Sequence, residues 1–255
     1  MKRSELRRFV KLIKEIVDIF FDAESFPSLS DTEQKNFELL LREASSQTAS
    51  LTPLSTRAFS KLAFGNRNEG IVAVARFQTD LVTNFKPCPG SPIFILEGIE
   101  KPGNLGAIFR TADAAGFGGI LICGKGTDAS NPAVIRASLG TVFCMPIACD
   151  TVSAVMQWCM THKRNIIAAT PDGDTHWHAG KLADQPAILL GSEAHGISPL
   201  WLEAANNKKL TLETVALPMH GLADSLNVSA TAAVLAYESL RQREVSPERP
   251  QPEST

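Results

Sequence analysis

Apolar residues recur along the chain in two rhythms, and the change from one to the other divides it. Over the first twenty residues Phe9, Leu12, Ile13, Ile16 and Phe20 keep helical spacing, with Arg3, Arg7, Lys11 and Lys14 on the opposite side, which predicts an amphipathic helix with a solvated basic face. Ser30 followed by Glu33 is a capping-box pattern that opens a second helix through Phe37, Leu40 and Leu41. A short helix around Ala58 to Leu62 and a strand from Gly70 to Phe77 complete this stretch. Residues 83–92 then gather three prolines and a glycine between apolar segments, the pattern of a linker.

After the linker, short apolar runs alternate with helical patterns. Strands are expected at Ile93 to Leu96, Ile120 to Cys123, Phe143 to Ile147, Ile166 to Ala169, Ile188 to Leu190 and Thr214 to Leu217. Helices are expected near Leu105 to Ala115, Ala133 to Leu139, Val152 to His162, Pro199 to Ala205 and Ser225 to Arg243. Such alternation predicts an α/β fold, a mostly parallel sheet with helices on both faces, beside a smaller N-terminal α/β region. The expected organisation is a first region at 1–82, a linker at 83–92, a main domain at 93–243 and a polar, proline-rich tail at 244–255 that reads as disordered.

Composition changes this picture little. The 255 residues are 44% hydrophobic and 20% charged, with a formal net charge of -2, so any contact with nucleic acid has to come from a local basic patch. Five cysteines, with no C-x-x-C pair, read as thiols of a reducing compartment. Glu5, Glu15 and Asp18 interrupt the basic start as no targeting peptide would allow, and no run is long enough for a membrane span. A cytoplasmic protein without a membrane segment is expected.

Three segments carry candidate chemistry. In the first, a strand ends at Glu97 in a glycine-containing turn that opens a helix bearing Asn104 and Arg110; six residues are nearly two turns, so the two can share a face. In the second, the apolar run Ile188-Leu-Leu enters Gly191-Ser-Glu193-Ala-His-Gly196, where glycine permits close backbone approach to a ligand. A tight turn with Glu193 near a helix start explains that segment equally well. In the third, Leu217-Pro-Met-His-Gly-Leu-Ala-Asp-Ser225-Leu-Asn227-Val-Ser precedes a helix of small residues, with Ser225 as the candidate N-cap. Asn227 gains little in a first helical turn without a specific partner.

In this order the segments resemble the three signature motifs of the SpoU (TrmH-like) branch of the SPOUT superfamily: N-x-G-x-x-x-R-T-A, G-S-E-x-x-G and I/L-P-M-x-G-x-x-x-S-L-N-V-S. Arg136-Ala-Ser-Leu-Gly140 is similar to a further stretch of that branch. The resemblance implies a C-terminal trefoil knot and an S-adenosylmethionine-dependent RNA 2'-O-ribose methyltransferase, acting on ribosomal RNA or, as the alternative, on transfer RNA. It implies a homodimer and a reaction that needs no metal. It places the cofactor on Gly191, Leu217 and Leu226, with Ile188, Leu190 and Met219 lining an adenine slot. Arg110 takes the catalytic position, with Asn104, Glu193, Ser225 and Asn227 fixing geometry; because a guanidinium stays protonated, Arg110 reads as a clamp on the ribose-phosphate rather than a base. Arg136, Lys101 and Lys125 are candidate RNA phosphate contacts. Residues Leu51 to Phe77 look like the end of an RNA-gripping domain similar to ribosomal protein L30, whose usual opening is missing.

Two other classes stay in view. Gly124-Lys-Gly126-Thr-Asp-Ala129 after a strand matches the dinucleotide fingerprint of an NAD-dependent oxidoreductase, but Asn131 and Pro132 look like the start of the next helix, too late to receive a pyrophosphate. A catalytically silent RNA-binding relative is the other. His176 and His178 lack carboxylate or thiolate neighbours and read as loop residues rather than a metal pair.

Overall fold

The computed structural model describes residues 16–26, 30–32, 34–35, 38–39, 42, 49–63 and 70–245. The chain divides into two compact units between Gln78 and Thr79, a few residues before the proline-rich stretch 83–92. Val82 and Phe85 are buried in the core of the second unit, so that stretch begins inside it.

In the first unit, β1 (Ile16–Asp22) lies between β2 (Ser50–Leu54), parallel to it, and β3 (Ile71–Ala75), antiparallel. This corrects the end of the helix expected over the first twenty residues, from Ile16 onward; residues 1–15, with Phe9, Leu12 and Ile13, lie outside the described residues. The run IVDIFFD is β-branched and aromatic, and the pairing with β3 shifts register between Ile16 and Asp18. Ile16, Ile19 and Asp22 are the buried positions of β1, three apart, a spacing that imitates a helix. Helix α1 (Thr56–Leu62) is capped by Ser55, which accepts from the Ala58 N–H, and buries Phe59. Of the second expected helix, the turn in which Gln34 N–H donates to the Ser30 carbonyl is present; Glu33, Phe37, Leu40 and Leu41 lie outside the described residues.

The second unit is a wholly parallel seven-stranded α/β sheet. In chain order it comprises β4 (Ile93–Glu97), α2 (Pro102–Ala114), β5 (Ile120–Cys123), α3 (Pro132–Ala137), β6 (Ile147–Asp150), α4 (Val152–Thr161), β7 (Asn165–Ala169), β8 (Thr175–His176), β9 (Ala187–Leu190), α5 (Pro199–Asn206), β10 (Thr211–Ala216) and α6 (Val228–Val245). The strands lie in the order β6-β5-β4-β9-β7-β10-β8. β4, β5 and β9 are buried at every position, as strands covered on both faces must be. Ile93, Ile95, Leu121, Cys123, Ala187 and Leu189 share one core with Val155 and Trp158 of α4 and Trp201 of α5. The alternate positions face the other way, where Phe117 stacks on Phe94 at 4.2 Å.

Several expected boundaries shift by a few residues, two of them with a clear local cause. The strand expected at Phe143 to Ile147 begins only at Ile147, because Gly140 turns the chain at φ 83 into a single 3-10 turn over Thr141–Phe143. The last helix begins at Val228, and Asn227, not Ser225, caps it: its side-chain oxygen accepts from the Ser229 N–H at 2.9 Å and the Ser229 hydroxyl at 2.6 Å. Farther along α6, Ser239 Oγ donates to the Leu182 carbonyl at 2.7 Å and Arg243 to the Ala115 carbonyl at 2.8 Å, which fixes the helix across the sheet.

Candidate active site

The strand order brings the ends of β4 and β9 together, although ninety residues separate them. Ile93 to Leu96 pair with Ala187 to Leu190, and the chain leaves both strands on the same side. A reversal of strand order at such a place opens a crevice outside the carboxyl ends. The turn after β4 carries the first motif, the hairpin after β9 the second, and the start of α6 the third.

These elements converge on one carboxylate. Asn104 Nδ2 donates to Glu193 Oε1 at 2.6 Å, Asn227 Nδ2 donates to the same oxygen at 3.1 Å and to Asn104 Oδ1 at 3.1 Å, and Lys101 Nζ forms an ion pair with Glu193 Oε2. The Val228 backbone N–H, at the start of α6, adds to the influences that favour the Glu193 anion. The hydrogen bond from Lys101 is the largest influence holding the Glu193 carboxyl below the usual range, ahead of the opposing effect of burial. Glu193 is thus an anion seated at a helix N-terminus, favoured by the dipole. A cavity of about 320 Å³ opens beside it, lined by Gly98, Lys101, Asn104, Glu193 and Val228.

Glycine makes the second motif possible. A Cβ on Gly191 would lie 2.1 Å from the Gly196 carbonyl carbon and 2.4 Å from the Ile197 nitrogen. Ser192 and Gly196 exchange backbone hydrogen bonds at 3.0 and 2.9 Å, closing the hairpin that holds Glu193 out over the crevice. Gly106 of the first motif acts at a different contact, since its Cβ would meet Ala137 at 2.5 Å and Ser138 N at 2.8 Å, where α2 crosses α3.

The other expected residues lie around this junction. Arg110 is exposed on α2, with no hydrogen bond or ion pair among the described residues. Six residues turn a helix by about 600°, about 120° short of two turns, so Arg110 and Asn104 do not share a face and only the long arginine side chain can bring its head back toward the crevice. Ser225 is exposed in the loop before α6 and is not part of the carboxylate cluster. Ile188 and Leu190 are buried within β9, Leu217 and Met219 are half-buried beyond β10, and Leu226 is exposed. Lys101, expected at an RNA phosphate, is engaged by Glu193; Lys125 and Arg136 are exposed. Arg136-Ala-Ser-Leu-Gly140 has a structural role as well, because buried Ser138 donates to the Ile135 carbonyl and accepts from the Gly140 N–H.

Sequence reasoning missed the part played by Glu97. It is buried at the end of β4, and its Oε2 accepts from the Ser198 N–H at 3.0 Å and the Trp201 indole at 2.9 Å, tying the first motif's turn to α5. An acid closing a wholly apolar strand was the available signal. Gly126, in the dinucleotide-like stretch, packs against Ile99, where a Cβ would lie 2.7 Å from the carbonyl oxygen, and α3 starts only at Pro132 behind its Asn131 cap. These glycines therefore serve loop packing. Among the described residues no three His, Cys, Asp or Glu side chains converge as a metal site, and no helix is long and apolar enough to cross a membrane.

Lys101→Met removes the strongest stabiliser of the Glu193 anion, so Glu193 titrates at higher pH in the variant, measured by the carboxyl 13C shift across an acid titration. Because the folded-state carboxyl sits below its ordinary range, its contribution to stability is full above that range and is lost as pH falls through the folded-state value; the variant loses part of that contribution. Asn227→Asp keeps the oxygen that caps α6 but replaces the donor facing Glu193 with a second anion. It is expected to depress activity with little loss from the cap, whereas Asn227→Ala also loses about 1 kcal/mol of helix stability. Thermal unfolding beside single-turnover assays separates the two.

The fold and site define a parallel α/β protein whose polar centre is assembled from three separated motifs at the strand ends. Residues 91–237 match the SpoU rRNA Methylase family model, and the chain belongs to that family. It is 28% identical over 191 residues to the 23S rRNA (uridine(2479)-2'-O)-methyltransferase of Streptomyces viridochromogenes, covering 71% of this chain but only 64% of that relative. It is 28% identical over 216 residues to the 23S rRNA (guanosine-2'-O-)-methyltransferase RlmB of Bordetella pertussis, covering 82% and 85%. A crystal structure described as an RNA 2'-O ribose methyltransferase superposes with a TM-score of 0.75 at 34% identity, covering 95% of this chain and 87% of the other. The SpoU methyltransferase AviRb of S. viridochromogenes, solved with AdoMet, shares the fold at TM-score 0.79 and 24% identity, covering 96% and 89%.

Proposed function

We propose that this chain is an S-adenosylmethionine-dependent RNA 2'-O-ribose methyltransferase that acts on ribosomal RNA. The observation that carries the reading is the Asn104–Glu193–Asn227 junction, in which one polar residue from each motif meets at the mouth of the sheet. Relatives named for 2'-O-methylation of 23S rRNA support the substrate class.

The cofactor, when bound, supplies an electrophilic methyl carbon on a sulfonium. Its place fits the loop 217–227, where Leu226 is 41% exposed and Leu222 fully exposed, apolar surface that an adenosine can cover. Gly191, Leu217 and Leu226 hold it through backbone groups, with Ile188, Leu190 and Met219 beneath the adenine. A SPOUT-type trefoil knot fits the insertion of β9 between β4 and β7. Asn104, Glu193 and Asn227 are locked by one another and define the wall against which a ribose is aligned, with Ser225 at its edge; holding the 2'-hydroxyl in line is the largest service such a wall can render. Arg110, still protonated, clamps the adjacent phosphate and stabilises charge that develops on the 2'-oxygen. Lys125 and Arg136 meet flanking phosphates, and Lys101 joins them only by leaving Glu193. The protein acts as a cytoplasmic homodimer.

Incubation with labelled S-adenosylmethionine and rRNA is expected to place label on ribose, read as an alkali-resistant dinucleotide. Label in transfer RNA alone would move the substrate to the alternative class, and RNA binding without transfer would make the chain a silent relative.

A further inference from the structure

A second cavity, of about 460 Å³, adjoins the one beside Glu193 and shares Gly98 and Glu100 with it. The hairpin after β9 separates the two: Glu193 and Ala194 border the first, Ser192 and His195 the second. None of the residues assigned to the cofactor lines this second cavity. Its volume is in the range of small-ligand clefts, and two of its lining residues, Glu97 and Ser198, each carry a side-chain oxygen without a partner among the described residues. Glu97 is 8% exposed; both of its hydrogen bonds fall on Oε2, so Oε1 has no partner among the described residues. Ser198 Oγ is buried and also without a partner. Both belong to residues that line the cavity.

We infer that this cavity receives the nucleobase of the nucleotide whose ribose lies beside Glu193, and that it selects guanine. The inference rests on the methyltransferase reading, which puts that ribose in the adjoining cavity. A base that covers the unpaired Glu97 oxygen has to offer it an N–H donor, because covering it with an acceptor leaves its desolvation uncompensated. Guanine presents two neighbouring donors, N1–H and N2–H2, beside an O6 acceptor that the Ser198 hydroxyl, buried and unpaired here, can satisfy by turning about its side-chain bond. Uracil presents a single N3–H flanked by two carbonyl oxygens, so it offers Glu97 one donor where guanine offers two and sets a carbonyl oxygen on either side of that bond. His195, exposed at the rim, supplies a ring on which a base can stack, and Lys125 a cation for its phosphate.

The test uses the full chain saturated with S-adenosylhomocysteine and titrated with guanosine 5'-monophosphate or uridine 5'-monophosphate. The guanine nucleotide is expected to bind about tenfold more tightly. In Glu97→Gln the amide oxygen stays with the Ser198 and Trp201 donors, so an NH2 group replaces Oε1 and the preference for guanine is lost. Ser198→Ala, which removes an unpaired hydroxyl, is expected to weaken the guanine nucleotide about fivefold without lowering thermal stability. Equal affinity for the two nucleotides, or unchanged guanine affinity in both variants, overturns the guanine site while cofactor binding leaves the methyltransferase reading intact. Failure of the unmodified chain to bind S-adenosylhomocysteine overturns that reading, and this inference with it.

Discussion

Replacing Arg110 with lysine is expected to lower the single-turnover rate of methyl transfer about a hundredfold at saturating RNA, while S-adenosylhomocysteine affinity stays unchanged. The side chain is exposed on α2 and has no partner among the described residues, so its loss should change folding stability by less than about 0.5 kcal/mol. Any effect on rate is then an effect on the reaction. Lysine keeps the charge but not the planar fork that grips two phosphate oxygens at once, and its flexible ammonium does not fix the ribose. Arg110→Ala, which loses the charge as well, is expected to fall by about a thousandfold. The lysine variant is the informative one: near-normal turnover would leave a point charge as all that the position requires, and the clamp would be the wrong mechanism. A rate in Arg110→Lys that recovers at high pH would instead point to proton removal.

Much of the second unit could be read from its local pattern. β4, β5 and β9 each carry a run of four apolar residues, buried on both faces and followed by a glycine turn, as the strands of a covered parallel sheet do. The order in which they pair was not legible, because β9 inserts between β4 and β7 through contacts that no local period encodes. The site divides in the same way. Asn104, Glu193 and Asn227 could each be singled out, yet their hydrogen bonds join positions 89, 34 and 123 residues apart. The engagement of Lys101 by Glu193 needed the same long-range geometry, and a lysine beside a glycine turn reads as a free phosphate contact without it. β1 failed for the opposite reason. Ile16 and Phe20, four apart, kept a helical spacing inside what is a strand, so the local signal was present and misleading. β8, only two residues long, had no periodicity to detect.

Gly191→Ala is expected to be the most disruptive single methyl group that the site can receive. The added Cβ would lie 2.1 Å from the Gly196 carbonyl carbon, 2.3 Å from its oxygen and 2.4 Å from the Ile197 nitrogen. All three are backbone atoms, so no side chain can rotate to relieve the contact. The hairpin has to open, which breaks the paired bonds between Ser192 and Gly196 and carries Glu193 away from Asn104, Asn227 and Lys101. Overpacking of this kind costs about 1–3 kcal/mol where neighbours can yield, and a backbone neighbour puts the cost at or above the upper end. Thermal unfolding should therefore fall by several degrees, and methyl transfer should be lost even at temperatures where the variant is folded. Gly221→Ala is the matched control in the third motif, since a Cβ there meets nothing within 4 Å. It is expected to unfold within about 0.5 kcal/mol of the unmodified chain. If the two variants behaved alike, the hairpin would be softer than its hydrogen bonds indicate, and Glu193 would owe its position to Lys101, Asn104 and α6 rather than to the turn that presents it.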